Sequence, residues 1–230
     1  MCELLLVNST SEVCDSGASK STTWEWSDAK LLVDVVNVDS SFLTSLSKHI
    51  LGGGALTLNP QQYTTTMFAI TSTDSLLQHA RALTRLNSVF VTFYREQGSA
   101  TKKLVNCFYI SPTGQELSLQ LQVGAKIIPD HRTDNLSQHF HRLLHTLGLA
   151  NSSQTMNITQ QSFSLDSFCA AIDCESVPGQ AHGSGLSTHQ NPLHLDFRGL
   201  GDAELPTSAY VTCFHESLIT IESDGVSYAI

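Results

Sequence analysis

Residues 116–123 read Glu-Leu-Ser-Leu-Gln-Leu-Gln-Val, with Leu117, Leu119, Leu121 and Val123 alternating with Ser118, Gln120 and Gln122. A side-chain period of two belongs to an extended strand with one face on a core and one in water, the antiparallel pattern. A helix would scatter the same apolar residues around its circumference. The run 88–95, Ser-Val-Phe-Val-Thr-Phe-Tyr-Arg, is the strongest strand signal in the chain, dense in β-branched and aromatic side chains.

Further strand signals recur on both sides. Residues 31–38 form a β-branched run expected to be a mostly buried strand. Residues 55–58 and 63–70 read as strands, the second with Tyr63, Thr65, Met67 and Ala69 on one face. The segments 104–110, 167–173 and 192–198 follow, then a final pair within 209–222 and 226–230 turning at Asp224-Gly225. Residues 76–86 fit either a helix or a strand.

Two short helices interrupt this pattern. One opens at Ser40 as N-cap, keeps Phe42, Leu46 and Ile50 at helical spacing, and stops at Gly52-Gly53-Gly54. The other covers 133–147, with Leu136, Phe140, Leu143, Leu144 and Leu147 as its apolar stripe and Gly148 as its stop. Strands do not alternate regularly with helices, so a parallel βαβ sheet is not expected. No 20–50-residue repeat is present, which removes solenoids and propellers. The expected class is mainly β: an antiparallel β-sandwich of eight to ten strands with two short helices in its connections. Residues 1–23 are polar and aperiodic and read as a flexible leader, leaving 24–230 as a single domain.

Charge narrows the function. Only 14% of the 230 residues are charged, against roughly 25% in a typical globular protein. The chain has 29 Ser and 22 Thr, so hydroxyls replace much of the missing charge. Net charge is −9, and the basic residues cluster no further than Lys102-Lys103, so no nucleic-acid groove is expected. No run reaches the ~18–20 apolar residues of a membrane-spanning helix. The N-terminus lacks the basic start of a secretory signal, so the sequons headed by Asn8, Asn135, Asn151 and Asn157 carry no weight and the chain is not expected to be secreted.

The residues that carry chemistry do not assemble into a motif. Cys2, Cys14, Cys107, Cys169, Cys174 and Cys213 form no C-x-x-C pair, and Cys107, Cys169 and Cys213 sit in strand-like apolar runs. His141 and His145 have the i, i+4 spacing of a metal pair, but residue 142 is Arg where H-E-x-x-H has Glu, and Asp134 lies about two turns away. With His139 they lie off the Leu/Phe stripe and read as a solvated helix face. His194 and Asp196, with His215 and Glu216, depart from cupin spacing. Gly52-Gly53-Gly54 lacks the Lys-Ser/Thr of a phosphate loop, and no G-x-S-x-G elbow occurs. Asp173 and Glu175 flank Cys174 and read as a polar strand edge. No catalytic, cofactor-binding or metal residue is assigned, and the chain is expected not to be an enzyme.

Several segments together carry a resemblance. The chain runs W-x-W-x-D-A-K-L-L-V-D-V-V-N-V-D-S-S from Trp24, then T-R-L-N-S-V-F-V-T-F (84–93), L-S-L-Q-L-Q-V-G-A-K-I-I-P (117–129) and H-F-H-R-L-L-H-T-L-G (139–148). D-C-E-S-V-P-G (173–179), G-S-G-L-S-T (183–188), L-H-L-D-F-R-G-L (193–200) and Y-V-T-C-F-H-E-S-L-I-T-I-E-S-D-G-V (210–226) follow. In order and spacing this resembles the carboxy-terminal jelly roll of double jelly-roll major capsid proteins, and more closely the capsid-like proteins of virus-like elements integrated in eukaryotic genomes. The resemblance covers roughly residues 24–230.

The resemblance implies a capsid-like structural protein without cofactor, acting by self-association into trimers or larger assemblies, or beside a companion jelly-roll domain. It implies sandwich strands at 85–93 and 117–123 and places Gly183-Ser184-Gly185 in a subunit-facing loop. It also implies residence in a virion or in the host cytoplasm or nucleus. A double jelly roll needs about twice this length, so the chain matches a half-length or degenerate copy. A charge-poor, hydroxyl-rich surface suits lateral contacts between subunits. The rival expectation is a monomeric lectin-like sandwich binding carbohydrate through residues 182–190, for which Trp24 and Trp26 are the only tryptophans.

Overall fold

The computed structural model describes residues 25, 27, 28, 30, 32–94, 117–152, 157–165, 167–175, 184–200 and 206–229. Among the described residues the first regular element is the helix α1 (Ser40–Leu51). Strands β1 (Leu56–Leu58), β2 (Gln61–Ala69), β3 (Ser75–His79), β4 (Arg85–Tyr94), β5 (Ser118–Val123) and β6 (Lys126–Thr133) follow. Two helices come next, α2 (Leu136–Thr146) and α3 (Gln160–Leu165). The last strands are β7 (Ala170–Asp173), β8 (Leu193–Arg198), β9 (Ser208–Glu216), β10 (Leu218–Glu222) and β11 (Gly225–Ala229).

Two four-stranded antiparallel sheets form the body, ordered β2-β9-β4-β7 and β3-β8-β5-β6. Their pairings are nested: β5 with β6, β4 with β7, β3 with β8 and β2 with β9. One long hairpin folded at β5–β6 and rolled so that successive strand pairs alternate between two sheets produces this order. The topology is a jelly roll, and the predicted antiparallel β-sandwich is correct. A third small sheet, β1-β10-β11, extends it, closed by the predicted hairpin at Asp224-Gly225, where Gly225 takes a φ of 152°.

The core lies between the two sheets. Val89, Val91 and Phe93 of β4 and Val211 and Cys213 of β9 face Leu119 and Leu121 of β5 and Leu195 and Phe197 of β8, all buried. Phe93 meets Phe197 edge-on across the sandwich, ring centroids 5.3 Å apart. From there the aromatic packing continues through Phe168 and Phe163 to Phe140 of α2, so the two helices close the side of the barrel next to β7.

Several expectations need correction. Residues 32–38 form no strand and are exposed, with Leu32 at 92%. A β-branched run becomes a strand only where a neighbour accepts its hydrogen bonds, and none does so among the described residues. The first helix is capped by Asp39, whose side chain accepts from the Ser41 amide, and not by Ser40. The second starts after its N-cap Asn135, because residues up to Thr133 belong to β6. That strand was hidden by Pro129 and Asp130, which an edge position tolerates. Among the described residues the helix α3 makes three helices where two were expected. Its signal is local: Ser162 N–H donates to Thr159 Oγ1 at 3.1 Å while Thr159 N–H donates to Ser162 Oγ at 3.0 Å, a reciprocal cap. The ambiguous stretch 76–86 contributes the end of β3 and the start of β4, and the final run breaks at Ser217 into β9 and β10. The strand expected at 104–110 and the leader 1–23 lie outside the described residues.

Candidate functional site

The two sheets present opposite chemistry to the outside. On the sheet β2-β9-β4-β7, the outward positions of β2 are Gln61, Tyr63, Thr65, Met67 and Ala69. Beside them stand Ser208, Tyr210, Thr212 and Phe214 of β9, and Ser88, Phe90, Thr92 and Tyr94 of β4. No charge occurs among them. Tyr63 is 70% exposed, Met67 60% and Phe214 40%. Phe214 is flanked by Tyr63 at 5.8 Å and Phe90 at 5.5 Å, and Tyr94 meets Tyr210 edge-on at 5.0 Å. The charged pair Arg85–Glu216 (3.1 Å) closes one end of this face.

The outer face of the other sheet is polar and charged. Arg132 of β6 donates to Ser118 Oγ at 3.1 Å and to Asp196 of β8, and Arg198 donates to Asp196 at 3.3 Å. Gln120, Gln122 and His194 share this face with two exposed apolar side chains, Leu76 of β3 and Ile127 of β6. The difference lies in charge and in rings: β2, β9 and β4 offer no charge and a cluster of aromatic side chains, whereas β6 and β8 offer paired charges.

On strand β2 the inward positions Gln62, Thr64 and Thr66 are polar, and the fourth, Phe68, packs against the core. Thr66 Oγ1 lies 3.1 Å from Nε2 of His79 on β3, inside the barrel. Burial, assisted by the positive charge of Arg81, holds His79 below the usual imidazole range. The sequence placed Tyr63, Thr65, Met67 and Ala69 on one face; the fold turns that face outward. Phe90, Tyr210 and Phe214, which complete the patch, come from strands remote in sequence, and only the β4–β9–β2 register brings them together.

The helical histidines separate. His139 is not solvated: it is 1% exposed, its Nε2 lies 3.0 Å from the Leu117 carbonyl oxygen, and burial lowers its pKa to about 4. It takes a core position that the stripe had assigned to leucine, while Leu147 is exposed. The stripe fails there because the helix rotates to seat His139 against Phe168 and Leu117. His141 and His145 are exposed as expected, their rings 6.5 Å apart. His145 Nδ1 stands 3.6 Å from the Asp173 carboxylate of β7, a neighbour that no sequence spacing announced. Together with Ser137, Gln138, Arg142 and Thr146 they border a shallow cavity of about 470 Å³. Among the described residues no three His, Cys, Asp or Glu side chains gather as a metal site.

The remaining candidates are kept apart or used structurally. His194 and Asp196 point outward from β8, whereas His215 and Glu216 are buried on the other sheet. Asp173 accepts from the Glu175 amide at 2.9 Å, an internal turn bond. Cys213 and Cys174 are buried and Cys169 is half-buried. Desolvation pushes the Cys213 thiol up to about 12 and Cys174 well above its ordinary range, so neither is a nucleophile. Gly52 caps α1. Gly185 packs on the chain itself: a Cβ there would lie 2.7 Å from the Arg85 carbonyl carbon, and Leu186 bridges to Leu86. Among the described residues no helix is long and apolar enough to cross a membrane.

No protein-family model matches the chain, and no curated protein matches it. Among solved structures it is similar to the cryo-EM structure of the Sputnik virophage, at a TM-score of 0.45 and 10% identity over 76% of this chain and 39% of that one. The crystal structure of PBCV-1 VP54, fitted into a reconstruction of Sputnik, gives 0.49 and 10% over 84% and 55%. The quasi-atomic PBCV-1 virus capsid gives 0.48 and 9% over 81% and 54%. The chain spans two-fifths to just over half the length of those chains. What its own strand order establishes is a jelly roll.

Proposed function

We propose that this protein is a non-enzymatic, capsid-like structural subunit that works by self-association. The observation that carries the reading is the uncharged outer face of β2, β9 and β4, with Tyr63, Met67 and Phe214 exposed on a strand-built wall. Neutral aromatic and hydroxyl surface is what subunit contacts use, and the opposite sheet keeps charge for solvent. Jelly rolls serve viral shells, lectins and cupins alike, so the fold alone does not choose between them, and the uncharged aromatic surface supports the subunit reading.

On this reading residues 24–230 act as one jelly-roll unit, with 1–23 as its leader. The partner is a further copy, in trimers or larger assemblies, or a companion jelly-roll domain, and the place of action is a virion or the interior of a host cell. No residue is assigned a catalytic or cofactor role. The lectin alternative gains nothing from the described part of its loop, since residues 184–190 include no aromatic side chain.

Light scattering of the purified chain between about 1 and 50 μM, with negative-stain microscopy of the largest species, tests the reading. Trimers or closed particles are expected. A strictly monomeric species across that range, or saturable glycan binding by a monomer, would overturn it.

A further inference from the structure

Four strands edge the two main sheets, and three of those edges are protected. Strand β6 carries Lys126, Pro129, Asp130 and Arg132; β7 is four residues long and lies beside α2; β3 is five residues long. Charge, proline, shortness and cover are the usual means of stopping one sheet from adding to another. Among the described residues strand β2 has none of them. It runs nine residues, Gln-Gln-Tyr-Thr-Thr-Thr-Met-Phe-Ala, without charge or proline, and pairs only with β9 among the described residues.

The hydrogen-bond phase of this edge is fixed by its ends. Ile70 N–H donates to the Thr207 carbonyl, and Ser217 N–H donates to the Pro60 carbonyl, both at 3.0 Å. In an antiparallel ladder the bonded residues alternate, so the even-numbered residues of β2 face β9 and the odd-numbered ones face the free edge. Gln61, Tyr63, Thr65, Met67 and Ala69 therefore offer their N–H and C=O groups outward. These are the same residues whose side chains lie on the uncharged face.

We infer that β2 pairs antiparallel with β2 of a second copy of this chain, across a twofold axis at Thr65. That register sets Thr65 against Thr65 of the copy, Tyr63 against Met67 and Gln61 against Ala69. Every outward-directed backbone group then finds a partner. On the outer face each Tyr63 ring meets a Met67 thioether, a favourable sulfur–aromatic contact. A second copy is the occupant because the strand is complementary to itself: it has no charge to repel its twin, and one register satisfies both backbone and side chains. Paired over about 30 Å, the two edges bury roughly 1,000 Å² in total, the threshold of a specific interface. The two four-stranded sheets become one of eight strands. This inference rests on the self-association reading and names one contact within it.

A disulfide test at one introduced cysteine reads the axis directly, with Cys174 and Cys213 buried and Cys169 half-buried left in place. In the full chain with Cys2, Cys14 and Cys107 replaced by Ser, Thr65→Cys places two thiols at symmetric Cα positions about 5.5 Å apart, within disulfide reach. Mild oxidation followed by peptide mass spectrometry is expected to find a 65–65 link, while Thr64→Cys, on an inward-facing position, gives none. Thr65→Pro removes the central donor and no β2–β9 backbone bond, giving up only the exposed hydroxyl contact of Thr65 with Thr212 at 2.9 Å, and should weaken self-association at least about tenfold by light scattering with the far-ultraviolet spectrum unchanged. If no 65–65 link forms and Thr65→Pro assembles as the wild type does, the edge contact is wrong while self-association stands. A wild type that stays monomeric and yields no link overturns both.

Discussion

The ring of Tyr63 on β2 lies 5.8 Å from that of Phe214 on β9, and both are exposed on the outside of the barrel. Aromatic pairs of this kind ordinarily bury against a core. Here the pair stands on the wall facing away from it, beside Phe90.

Placing a charge on this pair separates assembly from folding. Phe214→Lys is expected to shift trimers or larger species to monomers in light scattering. Its thermal midpoint should change by no more than a few degrees, because an exposed position gives little stability, about 1 kcal/mol or less. Loss of folding together with loss of assembly would argue that Phe214 belongs to the core.

Arg85 and Glu216 close the end of the same face. Glu216 is 2% exposed and accepts from Arg85 Nη1 at 3.1 Å, while the Arg85 side chain is 38% exposed. Water screens the guanidinium, so Arg85→Met should cost about 1–2 kcal/mol instead of the larger figure of a fully buried pair. A urea titration at pH 7 checks this, and an unchanged midpoint would contradict it.

Stability should fall in mild acid. Burial, only partly offset by the bond to the Leu117 carbonyl, brings the His139 pKa from 6.5 to about 4, so the unfolded chain binds the proton more tightly than the folded one. The contribution is fully present above pH 6.5 and is lost as pH drops toward 4, by about 3 kcal/mol. His79 and His215, lowered chiefly by burial, act in the same direction. Urea midpoints at pH 7.5 and 4.5 should differ accordingly, and His139→Gln should flatten the difference.

The segment after residue 183 is held tightly to the barrel. Gly185→Ala would set a Cβ 2.7 Å from the Arg85 carbonyl carbon, a backbone atom that cannot step aside. It should break the Leu186–Leu86 bridge and cost about 1–3 kcal/mol in thermal denaturation. A neutral result would show that the segment moves freely.

Where two faces differed in hydropathy, the sequence was sufficient. Strands β4, β5 and β8, the hairpin at Asp224-Gly225 and the stops at Gly52 and Gly148 follow from local periodicity and backbone conformation. An antiparallel sandwich was legible because alternation in 116–123 allows little else. Partnership was not legible. Residues 32–38 have the composition of a strand but no neighbour to pair with among the described residues, whereas 126–133, with a proline, find an edge beside β5. His139 is in the core because Leu117 and Phe168 meet it there, and His145 faces Asp173 because α2 packs beside β7. Alternation along 61–69 determined that Tyr63 and Met67 share a face. Only the rolled topology decided that the face looks outward, since a period of two separates the sides of a strand without stating which side meets the core.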